Sequence, residues 1–322
     1  MRERAAVLFG AAADELGPVP AIEWPTLALA ATIYGCWAAL TFWHAALPPV
    51  LVYPALVWLV AWHGSLQHEV LHGHPTRHRR LNDALGFPPL ALWLPYALYR
   101  RSHLRHHVDV RLTDPMDDPE SYYWTPELWA TLSRPGRVLV SVQTTLAGRL
   151  LLGPGWSICR FFYFQAHAVW RNDGLARRIW AQHALGAAAV LGWVWGVCGM
   201  APLSYLAAVV YPATALLLLR SFAEHRAAAG VPERIALVEN APVLGLLYLF
   251  NNLHVVHHAW PRVAWYRIPV LYRRNRAALI AANGGLVYDG YADVARRYLL
   301  TPHDSLLHPQ GRASAPVPGA TA

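Results

Sequence analysis

Lysine is absent from this chain, cysteine is scarce, and two long stretches carry no charged residue at all. Each of these absences excludes something. Cys36, Cys159 and Cys198 are odd in number and scattered, so they supply neither a disulfide framework nor a cysteine-ligated zinc or iron–sulfur site. No C-x-x-C-H, glycine-rich dinucleotide fingerprint or H-P-G-G motif occurs, and "HPQG" at 308 is not the last of these, so redox equivalents for any oxidation come from a separate carrier. The first 25 residues hold Arg2, Glu3, Arg4, Asp14, Glu15 and Glu23, which is not the basic-then-apolar layout of a cleaved signal.

What is present is apolar. With 55% hydrophobic, 12% aromatic and 14% charged residues over 322 positions, the chain is too hydrophobic and charge-poor for an average soluble domain. The charge-free gaps run from Glu23 to Glu69 and from Arg178 to Arg220, and each holds two spans of about 20 residues. Pro48 and Pro49 fold the first gap in half, and Gly199 and Pro202 fold the second. The expectation is an all-α integral membrane fold, with four transmembrane helices in two hairpins and a histidine-rich di-metal cap.

All 27 basic residues are arginine, and they lie before, between or after the hairpins, never in the two short turns. The positive-inside tendency then puts both termini and the long middle segment on the cytoplasmic side. A formal charge of +8 is read as contact with anionic lipid headgroups, since no nucleic-acid motif accompanies it; nucleic acid is not an expected partner.

Between Asp83 and Arg100 lies "ALGFPPLALWLPYALY", apolar but short and broken by three prolines; it should dip into the membrane or lie along it. Residues 100–178 are mixed and read as a cap with interfacial helix. The apolar piece at 241–250 is half a span long and leads into "NNLHVVHH". No linker divides the chain, so one membrane domain is expected over 1–308, followed by a flexible tail at 309–322.

Seventeen histidines fall mostly into short clusters. His68 and His72 are four apart; His103, His106 and His107 form H-x-x-H-H; and His254, His257 and His258 repeat it. On a helix, positions i, i+3 and i+4 share a face, so each cluster can aim its imidazoles at one point. His225 follows the fourth expected span, and all these features end up on the same side of the bilayer. Nine imidazoles exceed what one zinc needs and suit two metal ions; imidazole alone accepts zinc, copper, iron or nickel.

"HEVLH", "HLRHH" and "NNLHVVHHAWPRVAWYRIP" resemble the three histidine boxes of the membrane fatty acid desaturase and hydroxylase superfamily, over about 65 to 270. The resemblance implies a di-iron site at the cytoplasmic mouth of a four-helix bundle, with O2 as co-substrate and an unactivated C–H of a lipid or acyl chain as target. It implies His68, His72, His103, His106, His107, His225, His254, His257 and His258 as ligands, with no catalytic residue beyond them. It also implies fatty acid desaturation as the activity, with a hydroxylase, hydrocarbon oxygenase or carotenoid-type ketolase as the alternative. The external electron donor would be ferredoxin-like, with its reductase, and the site would lie in a bacterial cytoplasmic membrane. The stretch after the third box departs by Ala264, where proline is usual. Ser221 stands where stearoyl-CoA desaturases place an asparagine that completes an iron's shell, leaving Asn251 and Asn252 as substitutes.

Other readings compete. H-E-x-x-H at 68–72 fits an intramembrane zinc protease, with Glu69 as general base and Asp289 as third ligand, but it makes both H-x-x-H-H boxes coincidental. Otherwise Glu69 supports the site from behind or is solvated. A non-catalytic metal-binding membrane protein should line its spans with polar groups, and only His44, His63 and His183 are available there. His74 and His78 extend the first cluster and offer alternative ligands, but are read as interfacial histidines contacting headgroups or water; His44, His63, His167, His183, His303 and His308 are read as packing or surface. "DPMDDPE" could supply a carboxylate to the metals or to a proton path, but is read as helix caps and partners of Arg100, Arg101, Arg105 and Arg111. Trp58, Trp62, Trp93, Trp193 and Trp195 are read as an interfacial belt.

Overall fold

The computed structural model describes Gly17, residues 20–171 and residues 173–309. Two apolar helices, α1 (Trp24–Phe42) and α2 (Pro49–Leu71), occupy the first charge-free gap. Both begin with proline in the first turn, where the missing N–H costs nothing because it would have had no helical partner. Leu29, Ile33 and Trp37 on α1 and Val52, Leu56 and Leu59 on α2 are buried. Their spacing of three and four residues makes one stripe on each helix.

Tyr96–His106 forms α3, Gly153–Trp170 α4 and Gly174–Leu191 α5. Pro202–Glu224, here α6, is a third long apolar helix with a π-helical stretch at Leu206–Val210. Three helices among the described residues, α1, α2 and α6, are long and apolar enough to cross a membrane. The remaining expected crossing coincides with α5, which runs on into a π-helical turn at Gly192–Val197. Arg177 and Arg178 in its first turns, with Gln182 and His183 beyond them, lower its hydropathy below that of the other three.

The all-α expectation needs one correction. A short parallel pair, β1 (Leu237–Glu239) with β2 (Val287–Asp289), joins Leu237 to Val287 and Val238 to Tyr288. At three residues each, the strands are too short to leave a period-2 signal in the sequence. The third-box helix, α7 (His254–Ala259), packs directly behind β1. The tail expected at 309–322 lies, Pro309 apart, outside the described residues.

Residues 87–95 form neither a crossing nor a helix; the chain is irregular there and tucked among the helices. Buried irregular backbone needs partners when water is excluded, and side chains of the long helices supply them. Tyr205 of α6 donates its hydroxyl to the Leu90 carbonyl at 2.8 Å and accepts from Trp37 Nε1 at 2.9 Å. His183 of α5 meets the Leu92 carbonyl at 2.8 Å. Tyr205→Phe leaves that carbonyl and the indole N–H without a partner. The expected cost is about 1–2 kcal/mol, read as a lower thermal midpoint in detergent; an unchanged midpoint would show the segment to be held by other means.

Candidate metal centre

Four elements bring the nine histidines together. His68 lies in the last turn of α2 and His72 caps its end; His103 and His106 lie on α3 with His107 as its cap; His225 directly follows α6; and His254, His257 and His258 lie on α7. They form two groups: His68, His72, His103, His107 and His257 in one, and His106, His225, His254 and His258 in the other. Within each group the ligand nitrogens lie within 4.8 Å of one another.

The split corrects the expectation that each box aims at one point. In both H-x-x-H-H boxes the i and i+4 residues go to one group and the i+3 residue to the other: His103 and His107 against His106, and His254 and His258 against His257. Residues i+3 and i+4 are neighbours in sequence and stand about 100° apart around the helix axis. Two centres placed side by side therefore each take one of the two directions. The two boxes do this in opposite senses, so the groups interleave, with the His107 and His258 rings stacked at a centroid distance of 4.5 Å.

The donor geometry fits a metal ion in each group. Nε2 atoms face each other at 3.1 Å (His72 and His103), 3.0 Å (His103 and His107) and 2.9 Å (His107 and His257). The second group repeats this at 3.0 Å (His106 and His225), 3.0 Å (His225 and His254) and 3.2 Å (His254 and His258). An edge of about 3.0 Å is what two imidazoles subtend at right angles around an ion at about 2.1 Å. Pairwise hydrogen bonding cannot satisfy so many convergent nitrogens, because each neutral ring has a single N–H; His68 Nε2 is buried and has no hydrogen-bond partner.

Four of the opposite ring nitrogens are tied down, while His258 Nδ1 is buried without a hydrogen-bond partner. Asp118 Oδ1 accepts from His106 Nδ1 at 2.9 Å, and Glu120 Oε1 from His103 Nδ1 at 2.9 Å. His225 Nδ1 faces the Arg234 carbonyl at 3.3 Å, and His254 Nδ1 faces Asn251 Oδ1 at 3.1 Å and Glu224 Oε1 at 3.2 Å. A proton held on Nδ1 leaves the Nε2 lone pair for a metal and fixes the ring plane. Burial, reinforced by neighbouring imidazoles, lowers His107, His254, His257 and His258 well below the ordinary histidine range. Burial also lowers His225, with His106 adding to the effect. All five are therefore neutral and able to donate. For His106, burial also acts downward, but Glu120, Asp118 and Glu224 outweigh it and push the ring up to about 9. This is the field of a site that favours positive charge at Nε2, whether a proton or a metal ion.

The sequence reading missed the part played by "DPMDDPE". Asp114 Oδ1 accepts from the backbone N–H of Met116 and Asp117, and Asp118 accepts from Thr113 N and Glu120 N. The run thus folds into a tight turn that presents Asp118 and Glu120 to the two histidines, and only Asp117 pairs with Arg105 and Arg111.

The protease reading finds no support in the geometry. Glu69 is buried, not solvated, and turns away from the histidines to accept the backbone N–H of Trp265 at 3.0 Å. With Glu23 and His74 it forms a separate buried cluster in which His74 Nδ1 meets Glu23 at 2.7 Å. Asp289 ends β2 and accepts from Asn240 at 2.6 Å. Asn251 serves Glu224 and His254, Asn252 donates to the Val238 carbonyl, and Ser221 donates to the Leu218 carbonyl. His44, His63, His167, His183, His303 and His308 contact Thr41, Tyr34, Tyr163, Leu92, Tyr288 and Thr113 respectively, outside both groups.

Beside the metal groups lies a cavity of about 780 Å³. Val60, Gly64 and Gln67 of α2, Ala213 and Leu217 of α6, and Ala91, Trp93 and Leu94 of the irregular segment line it, while Tyr99, Glu120 and Arg220 form the wall toward the histidines. The Tyr99 and His103 rings are 5.8 Å apart. A Cβ at Gly64 would stand 2.7 Å from Leu217 Cδ1, so a larger residue there would displace that side chain in the cavity wall. Trp93 lines the cavity, whereas Trp62 and Trp193 make interhelix hydrogen bonds to the Leu246 carbonyl and Thr41.

Asp118→Ala removes the acceptor that fixes His106. The expected result is metal binding weakened by about 10–100-fold at the group containing His106, read by titrating metal-free protein with ferrous or cobaltous ion. Wild-type affinity would show that Asp118 does not orient a ligand.

Residues 41–291 match the family model described as fatty acid desaturase. The chain is similar to zeaxanthin 4-ketolase of Chlamydomonas reinhardtii, with 25% identity over 281 residues, 79% of this chain and 55% of the ketolase. It therefore spans about half the length of that curated relative. No solved structure matches it. With most of its length matched, both H-x-x-H-H boxes included, the chain belongs to the fatty acid desaturase family.

Proposed function

We propose that this oxidoreductase is an O2-dependent, non-haem di-iron enzyme that attacks an unactivated C–H bond of an acyl lipid, with desaturation as its reaction. The observation that carries the reading is the interleaving of nine histidines into two ligand groups against the wall of a largely apolar cavity. Bound iron would supply the activation of O2. His68, His72, His103, His107 and His257 would hold one ion, and His106, His225, His254 and His258 the other.

The chain's own residues do the rest. Val60, Ala91, Leu94 and Leu217 exclude water from an extended apolar chain, and the irregular segment sets how deep that chain reaches. Arg101, Arg149 and Arg160 also line the cavity and pair with no carboxylate among the described residues. They suit a substrate with an anionic end, carboxylate or phosphate, whose apolar portion passes Tyr99 and Glu120. Desaturation removes two neighbouring hydrogens, and with two electrons and two protons from outside the O2 leaves as water.

A second reading has one observation in its favour, the similarity to a protein named as a ketolase. Oxygen insertion and desaturation part only after the first hydrogen is lost, so substrate placement decides between them. The arginine-rich face is taken to be cytoplasmic and to receive an acidic ferredoxin-like carrier.

Expression in a lipid-producing host separates these outcomes. Extracts should contain a product two hydrogens lighter than its parent, absent with His257→Ala; a product heavier by oxygen would place the enzyme with the hydroxylases and ketolases. Reduction by a ferredoxin should weaken steeply as salt rises toward 0.5 M, by about tenfold or more. Salt-independent reduction would remove the arginine face from the account of electron delivery.

A further inference from the structure

We propose that a second cavity, between α3, α5 and the short helix Arg79–Gly86, holds the phosphate headgroup of an anionic phospholipid. The inference stands apart from the di-iron reading. The cavity measures about 540 Å³, against about 30 Å³ for one water molecule's share of the liquid, so it takes a glycerophosphate group and not merely an ion. Arg79, Arg100, Arg101 and Arg178 line it, and Asp83 is the only acid in its wall. That carboxylate is already engaged. It accepts from Arg79 Nε at 3.2 Å and from the Tyr96 hydroxyl at 3.0 Å, and Arg100 Nε lies 3.8 Å away. Arg101 and Arg178 meet no carboxylate among the described residues. Four guanidinium groups around one acid leave a positive excess, which an anion in the cavity offsets. Phosphate fits this role because its oxygens accept charge-assisted hydrogen bonds from more than one guanidinium.

The surroundings favour a lipid over a soluble phosphate ester. Phe87 and Leu175, both exposed, and Ile179, which is buried, give the cavity an apolar side. Along α5, Arg178, Gln182 and Leu185 stand at i, i+4 and i+7 and so share one face. The first two line the cavity, and Leu185 beyond them is 74% exposed. No Asp, Glu, Lys or Arg follows Arg178 in α5. An acyl chain leaving the cavity therefore runs along an apolar face toward the bilayer interior, while its phosphate stays where α5 passes into its charge-free stretch. Basic pockets between membrane helices at that level suit anionic headgroups. The bound headgroup also braces the irregular segment at 87–95. Phe87 and Pro95, at its two ends, line this cavity, and Ala91, Trp93 and Leu94 between them line the larger one. His183 lines the headgroup cavity and holds the Leu92 carbonyl at 2.8 Å.

The test uses the full chain in mild detergent, with phosphatidylglycerol, phosphatidylcholine and water-soluble glycerophosphate as probes and bound lipid counted by native mass spectrometry. The wild type should retain a single phosphatidylglycerol, at least about tenfold more tightly than phosphatidylcholine. Arg178→Glu should weaken that retention by about tenfold or more. Gln182→Trp, which crowds the cavity without changing its charge, should do the same. Arg177→Glu makes the same charge change one residue away and outside the cavity lining, and should cost about threefold or less. Thermal midpoints without added lipid check that each variant is folded. Equal retention of the two lipids, or equal losses in Arg177→Glu and Arg178→Glu, would overturn the proposal and leave only a diffuse surface field. Displacement of phosphatidylglycerol by glycerophosphate at a comparable concentration would overturn the lipid assignment and make this a site for a soluble phosphate ester. Should Arg178→Glu fail to fold, Gln182→Trp decides: lost retention supports the cavity as the site, and wild-type retention overturns it.

Discussion

A hydrogen bond from histidine Nδ1 to a fixed oxygen is the interaction on which the rest of this centre depends. Where Asp118, Glu120, Asn251 or a backbone carbonyl takes that proton, the ring plane is set and the Nε2 lone pair points inward. Without those oxygens, nine closely packed imidazoles would pair among themselves in shifting tautomers. With them, the rings converge on two points a stacked ring apart. Buried acids are costly in turn, and the Arg220–Glu224 ion pair and the backbone N–H groups of Thr113 and Glu120 that donate to Asp118 offset that cost.

The bilayer-length helices provide the frame, and the same scarcity of water that favours them constrains everything between. The irregular segment at 87–95 can sit among α1, α5 and α6 because Tyr205 and His183 satisfy its carbonyls. It then serves as a cavity wall. Glu23, Glu69 and His74 act similarly at the edge of the bundle. Glu69 holds the backbone of Trp265, just beyond the third box, against the first box, so the glutamate of this H-E-x-x-H sequence has a structural role while His68 and His72 join the histidine group.

The ligand candidates were legible because histidine pairs at helical spacing are rare and specific, and the hairpin of α1 and α2 because a charge-free gap broken by two prolines has one reading. The partition of the boxes was not legible. Position i+3 and position i+4 look equivalent on one face until two targets stand side by side, and only the fold reveals that. Asp118 and Glu120 were hidden for another reason: an acidic run near arginines has a simple surface explanation, and here Asp117 alone follows it. The π-helical stretches and the β1–β2 pair are too short to carry a periodic signal. The π-helical run in α6 shifts the helical phase ahead of His225, so spacing along the sequence does not give that residue's direction.

The most direct measurement is the number and identity of metal ions per chain in protein purified in mild detergent from iron-supplemented cells, with His225→Ala and His72→Ala alongside. The expected result is about two irons in the wild type, with His225→Ala and His72→Ala each disturbing a different one. Zinc competes for imidazole sites and lies above ferrous iron in the affinity series, so iron supplementation is part of the design. A single zinc that is lost in His72→Ala and unchanged in His225→Ala would contradict the two-centre account.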